Sequence, residues 1–139
     1  MRELLFFATI FLLAFLANLG WEFSHAGLYV QYRGDEITDL ILIRAALFDA
    51  GVITLFAVPL FLVPLLRARL WVALIVGFMF AVGLEWFALF TGRWEYNDLM
   101  PIIPFLNIGL SPSVQLGLTG WATYLFARFL WRSASAWGK

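Results

Sequence analysis

The chain has 139 residues, of which 63% are hydrophobic and 13% charged, and its formal net charge is zero. That apolar share exceeds the ~45–50% usual in soluble domains, and a soluble fold of this size has too little interior to hide it. No basic run of the kind nucleic acid requires is present, and the lack of cysteine excludes disulfides, thiolate chemistry and Cys-ligated metals.

Lipid is the remaining solvent. The long apolar runs read as membrane-spanning helices, and no segment alternates with the period of two that barrel strands need. The expected fold is all-α: a polytopic integral membrane protein with four transmembrane helices in a single domain, residues 1–139. An interfacial or re-entrant segment is expected between helices 3 and 4.

The first span covers about residues 4–29. Its start resembles a signal sequence, but the apolar run is too long for an h-region. Asn18-Leu19-Gly20-Trp21-Glu22 is a poor cleavage site, so the run reads as a retained helix. Asn18, Glu22, His25 and Tyr29 follow at helical spacing and form one polar stripe, which faces protein or water. Residues 31–39 form a loop turning at Arg33-Gly34-Asp35-Glu36, with Thr38 or Asp39 as cap of the next helix.

The second span covers about residues 40–66. Arg44 and Asp49 are five apart, hence ~140° apart around a helix, so each needs a partner on another helix. Pro59 and Pro64 kink or end it. The short link Arg67-Ala68-Arg69 predicts an antiparallel hairpin of spans two and three. The third span covers about residues 70–91, with Gly77, Ala81, Ala88 and Gly92 as a small-residue packing face and Glu85 at its edge. Residues 92–112 carry the polar and aromatic patch Arg93 to Asp98, then Pro101, Pro104 and Pro112, too broken by proline to span. The fourth span covers about residues 113–130, with a weakly polar stripe of Gln115, Thr119, Ala122 and Thr123.

Basic residues set the expected orientation. Arg2, Arg67, Arg69, Arg128, Arg132 and Lys139 fall on one side, Arg33 and Arg93 on the other, with Arg44 near that boundary. The positive-inside rule then places both termini in the cytoplasm, in a bacterial or archaeal cytoplasmic (inner) membrane. Trp21, Trp86 and Trp94 mark the outer boundary, and Trp71, Trp131 and Trp137 the inner one. Glu22, His25, Arg44, Glu85, Arg93 and Glu95 then share the outer half, with Asp49 near the middle. This is a cup open outward, not a pore.

An ionisable side chain at membrane depth costs ~2.5–3.5 kcal/mol on insertion scales, so such residues mark function more often than mutual neutralisation between helices. Glu22 and His25 have the Glu-x-x-His spacing of di-iron bundles, but those need two such motifs and this chain has one histidine. A site from His25, Glu22, Asp49 and Glu85 is weakly supported by ligand type, and no metal or cofactor is assigned. Ser24 is adjacent to His25 and cannot be oriented by it as a nucleophile. Acid/base work fits better, because low-dielectric surroundings favour a neutral carboxyl group able to give a proton. The candidate catalytic residues are Glu22, His25 and Glu85. The candidate substrate-binding residues are Asn18, Arg44, Asp49, Arg93, Trp94, Glu95 and Tyr96, with Trp21, Trp86 and Trp94 as an aromatic wall.

Glu85, Gly92, Trp94 and Tyr96 form an acidic residue seven before the glycine of a Gly-x-Trp-x-aromatic turn, and Ile108-Gly109-Leu110-Ser111-Pro112 follows. In this layout residues 85–115 resemble the small membrane domains of lycopene cyclase-type carotenoid-cyclizing enzymes. Where that family has paired glutamates after the proline, this chain has Ser113-Val114-Gln115, so the resemblance does not carry cyclase activity over. It implies a related small helical membrane fold acting on an isoprenoid-like or lipid substrate. The expected function is a polar pocket that binds such a molecule and performs acid/base chemistry on it. The alternatives are a proton- or ion-coupled transporter or channel, and an accessory subunit. Expected partners are a membrane lipid or isoprenoid-like molecule, and a second copy or another membrane protein.

Overall fold

A computed structural model describes residues 1–136. Trp137 and Lys139, assigned above to the inner aromatic belt and the basic side, lie outside them. The protein is mostly helical: α1 (Arg2–His25), α2 (Asp39–Leu62), α3 (Pro64–Arg67), α4 (Val72–Phe90) and α5 (Leu110–Ala136). Three helical stretches are long and apolar enough to cross a membrane: α1 with the 3₁₀ turn that follows it, α2 and α4. They mark the protein as membrane-embedded. α5 is as long as the first of them, but Ser111, Ser113, Gln115, Thr119 and Thr123 dilute its apolar character.

Each long helix buries one stripe. On α2 it is Leu42, Ala46, Asp49, Ala50, Ile53, Ala57 and Leu60, in steps of mostly three and four. The outward faces keep large apolar side chains exposed, among them Leu12 and Leu16 on α1, Leu47 and Leu55 on α2, Met79 and Phe87 on α4, and Phe126 and Phe129 on α5. In water such surface would be a liability; in a bilayer it is the contact with lipid.

α2 continues through Pro59 and ends at Leu62. Val63 is extended, as a residue before proline prefers, and Pro64 opens α3 at its first position, where a missing N–H costs nothing. α4 and α5 meet backbone to backbone. A Cβ on Gly77 would lie 2.6 Å from the Gly117 Cα, and one on Gly117 would lie 2.7 Å from the Leu74 carbonyl. Ala81 and Ala88 continue this face.

Gly92 does not belong to that face. Its φ is +63°, its N–H donates to the Leu89 carbonyl at 3.1 Å, and the Arg93 N–H donates to the Ala88 carbonyl at 2.8 Å. This is a Schellman motif, so the glycine ends α4 instead of packing it.

The hairpin expected of spans two and three is also corrected. α1 packs against α2 and α5, and α5 against α4, whereas α2 and α4 barely touch. α2 uses its small residues against α1, and α4 uses its own against α5. The Phe56 and Phe80 rings meet edge-on at 5.3 Å and bridge the two helices partway down; nearer the β-strands a gap remains between them.

Four short strands depart from an all-α fold. β1 (Tyr29–Tyr32) pairs antiparallel with β2 (Trp94–Tyr96), and β3 (Ile102–Ile103) with β4 (Ile108–Gly109). Tyr29 therefore leaves the helix, because α1 stops at His25 and tightens through Ala26–Leu28. Arg33 and Gly34, at φ 53° and 88°, make the two-residue turn after β1, and Tyr32 and Asp35 exchange backbone hydrogen bonds across it. Asn97 ties the second strand to the end of α1 through its amide, which donates to the Gly27 carbonyl at 2.6 Å.

Candidate functional site

The gap between α2 and α4 forms a cavity of about 320 Å³ at the end of the bundle that carries β1 and β2. That is the lower end of the range for small-molecule sites. The structure brings Glu22, His25, Arg44, Asp49, Glu85, Arg93 and Trp94 to its wall. Much of the remaining wall is apolar or aromatic, including Ile41, Phe48, Leu84 and Phe87.

The floor is built on Gln115, in the first turns of α5. Its Nε2 donates to Glu22 Oε1 at 2.7 Å, to Asp49 Oδ2 at 2.7 Å and to Asn18 Oδ1 at 3.1 Å. The two carboxyl oxygens therefore lie no further apart than twice the shorter distance. One amide has two hydrogens for three acceptors, so it serves two of them at a time. Thr119, one turn along α5, donates to the same Asn18 oxygen at 3.1 Å, and Asn18 Nδ2 donates to the Ala14 carbonyl at 2.8 Å. Asn18 is thus fully engaged beneath the floor and does not line the cavity.

Glu85 stands on the opposite wall. It is 4% exposed and accepts from Trp94 Nε1 at 3.3 Å and from the Tyr96 hydroxyl. The Schellman turn at Gly92 makes this possible by sending β2 back over the end of α4. In a strand, alternate side chains share a face. Trp94 and Tyr96 point to Glu85, and Glu95 points away, exposed, where its carboxylate accepts weakly from Gln31 at 3.5 Å. The structure thus removes Glu95 from the candidate site.

No arginine among the described residues pairs with Glu22, Asp49 or Glu85; the charged or polar groups that act on them are one another, His25, Gln115, Trp94 and Tyr96. Arg44 lies exposed at the rim, and Arg93 sits over the Phe87 ring at 5.2 Å. The carboxyl groups are therefore not neutralised by an arginine among the described residues.

His25 is buried, and its Nδ1 donates to the Trp21 carbonyl at 2.7 Å; in a neutral ring this makes Nε2 the acceptor. Glu22 turns to Gln115 and His25 to the Trp21 carbonyl, not to each other. The Tyr29 ring packs edge-on to His25 at 5.4 Å and against Tyr96 at 5.5 Å. Burial, and then the nearby carboxyl groups, push the Tyr29 hydroxyl above its ordinary range. Burial and the bond to Glu85 do the same to Tyr96. Both stay protonated donors at neutral pH.

The aromatic wall is narrower than the sequence implies. Trp94 lines the cavity, but Trp86 faces outward with its Nε1 on the Leu106 carbonyl at 3.0 Å, and Trp21 lies off the wall with its indole N–H unpartnered. Among the described residues no three His, Asp or Glu side chains are arranged to hold a metal ion. Sequence reasoning missed Gln115 as the hub; its only signal was a polar side chain one turn from Thr119 in an apolar helix.

No protein-family model matches the chain, and no curated protein or solved structure does.

Proposed function

We propose that the protein binds a lipid- or isoprenoid-like molecule in this cavity and performs acid/base chemistry on it. The observation that carries the reading is the composition of the site. Three carboxyl groups that no arginine among the described residues pairs with stand at the floor and side of a mostly apolar chamber, each held by fixed amide, indole or phenol donors. Positioned carboxyl groups in a water-poor site are suited to giving a proton to one atom and taking it from another. Glu22 and Glu85 would handle protons. Gln115 positions the first, Trp94 and Tyr96 the second, and His25 Nε2 offers a further acceptor. The resemblance of residues 85–115 to carotenoid-cyclizing domains supports an isoprenoid-like substrate, within the limit set by the missing glutamate pair.

The same reading makes α5 a fourth crossing helix, since Leu118, Leu125, Phe126 and Phe129 present an outward apolar face like those of the other three. Residues 92–109 lie at the bilayer surface, with Leu99, Ile102 and the fully exposed Phe105 reaching into it. Arg2, Arg67, Arg69, Arg128 and Arg132 lie toward the end opposite the cavity, against Arg33, Arg44 and Arg93 at the cavity end, and this bias supports cytoplasmic termini with the cavity on the outer side. The transport alternative has less support. Below Thr119 the core is Ile10, Ala14, Ile53, Ala57 and Leu60, with Thr123 and the Tyr124 hydroxyl, which donates to the Ile53 carbonyl, as its polar members.

Mass spectrometry of material that co-purifies with the protein tests the proposal. A discrete apolar species should be enriched over bulk phospholipid and lost from Ala45→Trp, which fills the cavity from α2. Only bulk phospholipid, unchanged by Ala45→Trp, would overturn it.

A further inference from the structure

A second cleft, of about 540 Å³, lies at the opposite end of the bundle between the start of α1, the end of α2 with α3, and the end of α5. Among the described residues Arg2, Arg67, Arg128 and Arg132 line it, against a single acid, Glu3. Its floor is aromatic: the Phe6 ring meets Phe7 at 5.7 Å, Phe61 at 4.8 Å and Trp131 at 5.3 Å.

Two of the arginines are held in place by the backbone. Arg67 donates through Nε to the Phe61 carbonyl at 2.9 Å and through Nη2 to the same oxygen, which caps the last turn of α2. Arg128 donates through Nη1 to the Arg67 carbonyl at 3.2 Å. Each bond uses part of a five-donor guanidinium and leaves other N–H groups for a ligand. A guanidinium already fixed loses little freedom when it binds an anion.

We propose that this cleft is a binding site for an anionic membrane phospholipid. The phosphate is held by Arg67, Arg128 and Arg132, and the upper part of an acyl chain lies on Phe6, Phe61 and Leu62. Charge complementarity selects the occupant: four cations facing one carboxylate favour a phosphate-bearing headgroup with net negative charge over a zwitterionic one. The apolar floor beneath the cations favours a lipid over a free anion. The site is separate from the carboxyl-lined cavity and does not depend on the function proposed for it.

The test is thermal unfolding and native mass spectrometry of the purified full chain in detergent with phosphatidylglycerol, phosphatidylcholine or inorganic phosphate. Phosphatidylglycerol should bind and raise the unfolding midpoint; the other two should not. Arg132→Gln, an exposed position near the end of the last helix, should weaken that binding roughly fivefold, and Arg128→Gln at least as much. Glu3→Gln should strengthen it. Equal binding of phosphatidylglycerol and phosphatidylcholine, an equal effect of inorganic phosphate, or unchanged phosphatidylglycerol affinity in Arg132→Gln would each overturn the assignment.

Discussion

Gln115 joins three elements that the sequence leaves far apart. Its amide holds Glu22 of α1 and Asp49 of α2 from a position on α5, so the carboxyl groups that look scattered along the chain become one cluster. A polar residue in an apolar run signals an inward face but not its partners, which is why Gln115, like Thr119, was legible as part of a stripe while its role as hub was not. Replacing Gln115 by Leu keeps the bulk and removes the donor from two buried acceptors. The expected loss is about 1–3 kcal/mol of stability, read as a lower unfolding midpoint in detergent. Tyr29 and Tyr96 give a pH signature. Their hydroxyls are pushed up in the folded protein, while in the unfolded chain tyrosine titrates near ~10. The stability they contribute is complete below that value and is lost as pH rises through the folded-state values. The unfolding midpoint should therefore fall above about pH 10, and less steeply in the Tyr29→Phe, Tyr96→Phe double variant.

At the scale of elements, the apolar runs announced α1, α2 and α4, and the prolines marked where α2 gives way to α3. The errors came from residues whose role depends on backbone conformation. Gly92 fits a small-residue spacing by number, yet its positive φ makes it the stop signal of α4. Tyr29 fits the polar stripe of α1 by number, yet lies on β1 and reaches His25 from a strand. Strands of two to four residues have no period to detect, and their pairing is set by contacts between distant segments. The Gly92 turn aims Trp94 and Tyr96 at Glu85, so it links helix termination to the site. Gly92→Ala leaves open space around the new methyl group but forces an alanine into the left-handed region, at a cost of about 1 kcal/mol. The variant should lower the unfolding midpoint modestly. It should also loosen β2, read as faster amide exchange at Trp94 and Tyr96; unchanged exchange would separate the turn from the site.

Across the whole molecule, the decisive feature is the packing that sequence separation concealed. A short link between α2 and α4 suggested neighbours, but small residues commit each helix to a different partner, and the space left between them becomes the chamber. The chamber therefore sits between two helices with exposed apolar faces, flanked by Phe48 and Phe87, each about half exposed. The lipid-like ligand proposed above would meet this gap sideways from the bilayer, without first passing through water. The apolar packing below the Gln115 floor keeps the chamber at one end, and the arginine-rich cleft occupies the other.

The most direct test of proton transfer in this chamber is solvent-deuterium exchange. The protein, reconstituted with its co-purified apolar ligand, is incubated in deuterium oxide and the ligand is weighed by mass spectrometry. Deuterium should enter the ligand at a rate that falls roughly 10²–10⁴-fold in Glu85→Gln or Glu22→Gln. A ligand that gains no label from the wild-type protein, or gains it equally fast from both variants, would contradict the assignment of these carboxyl groups as its proton donors and acceptors.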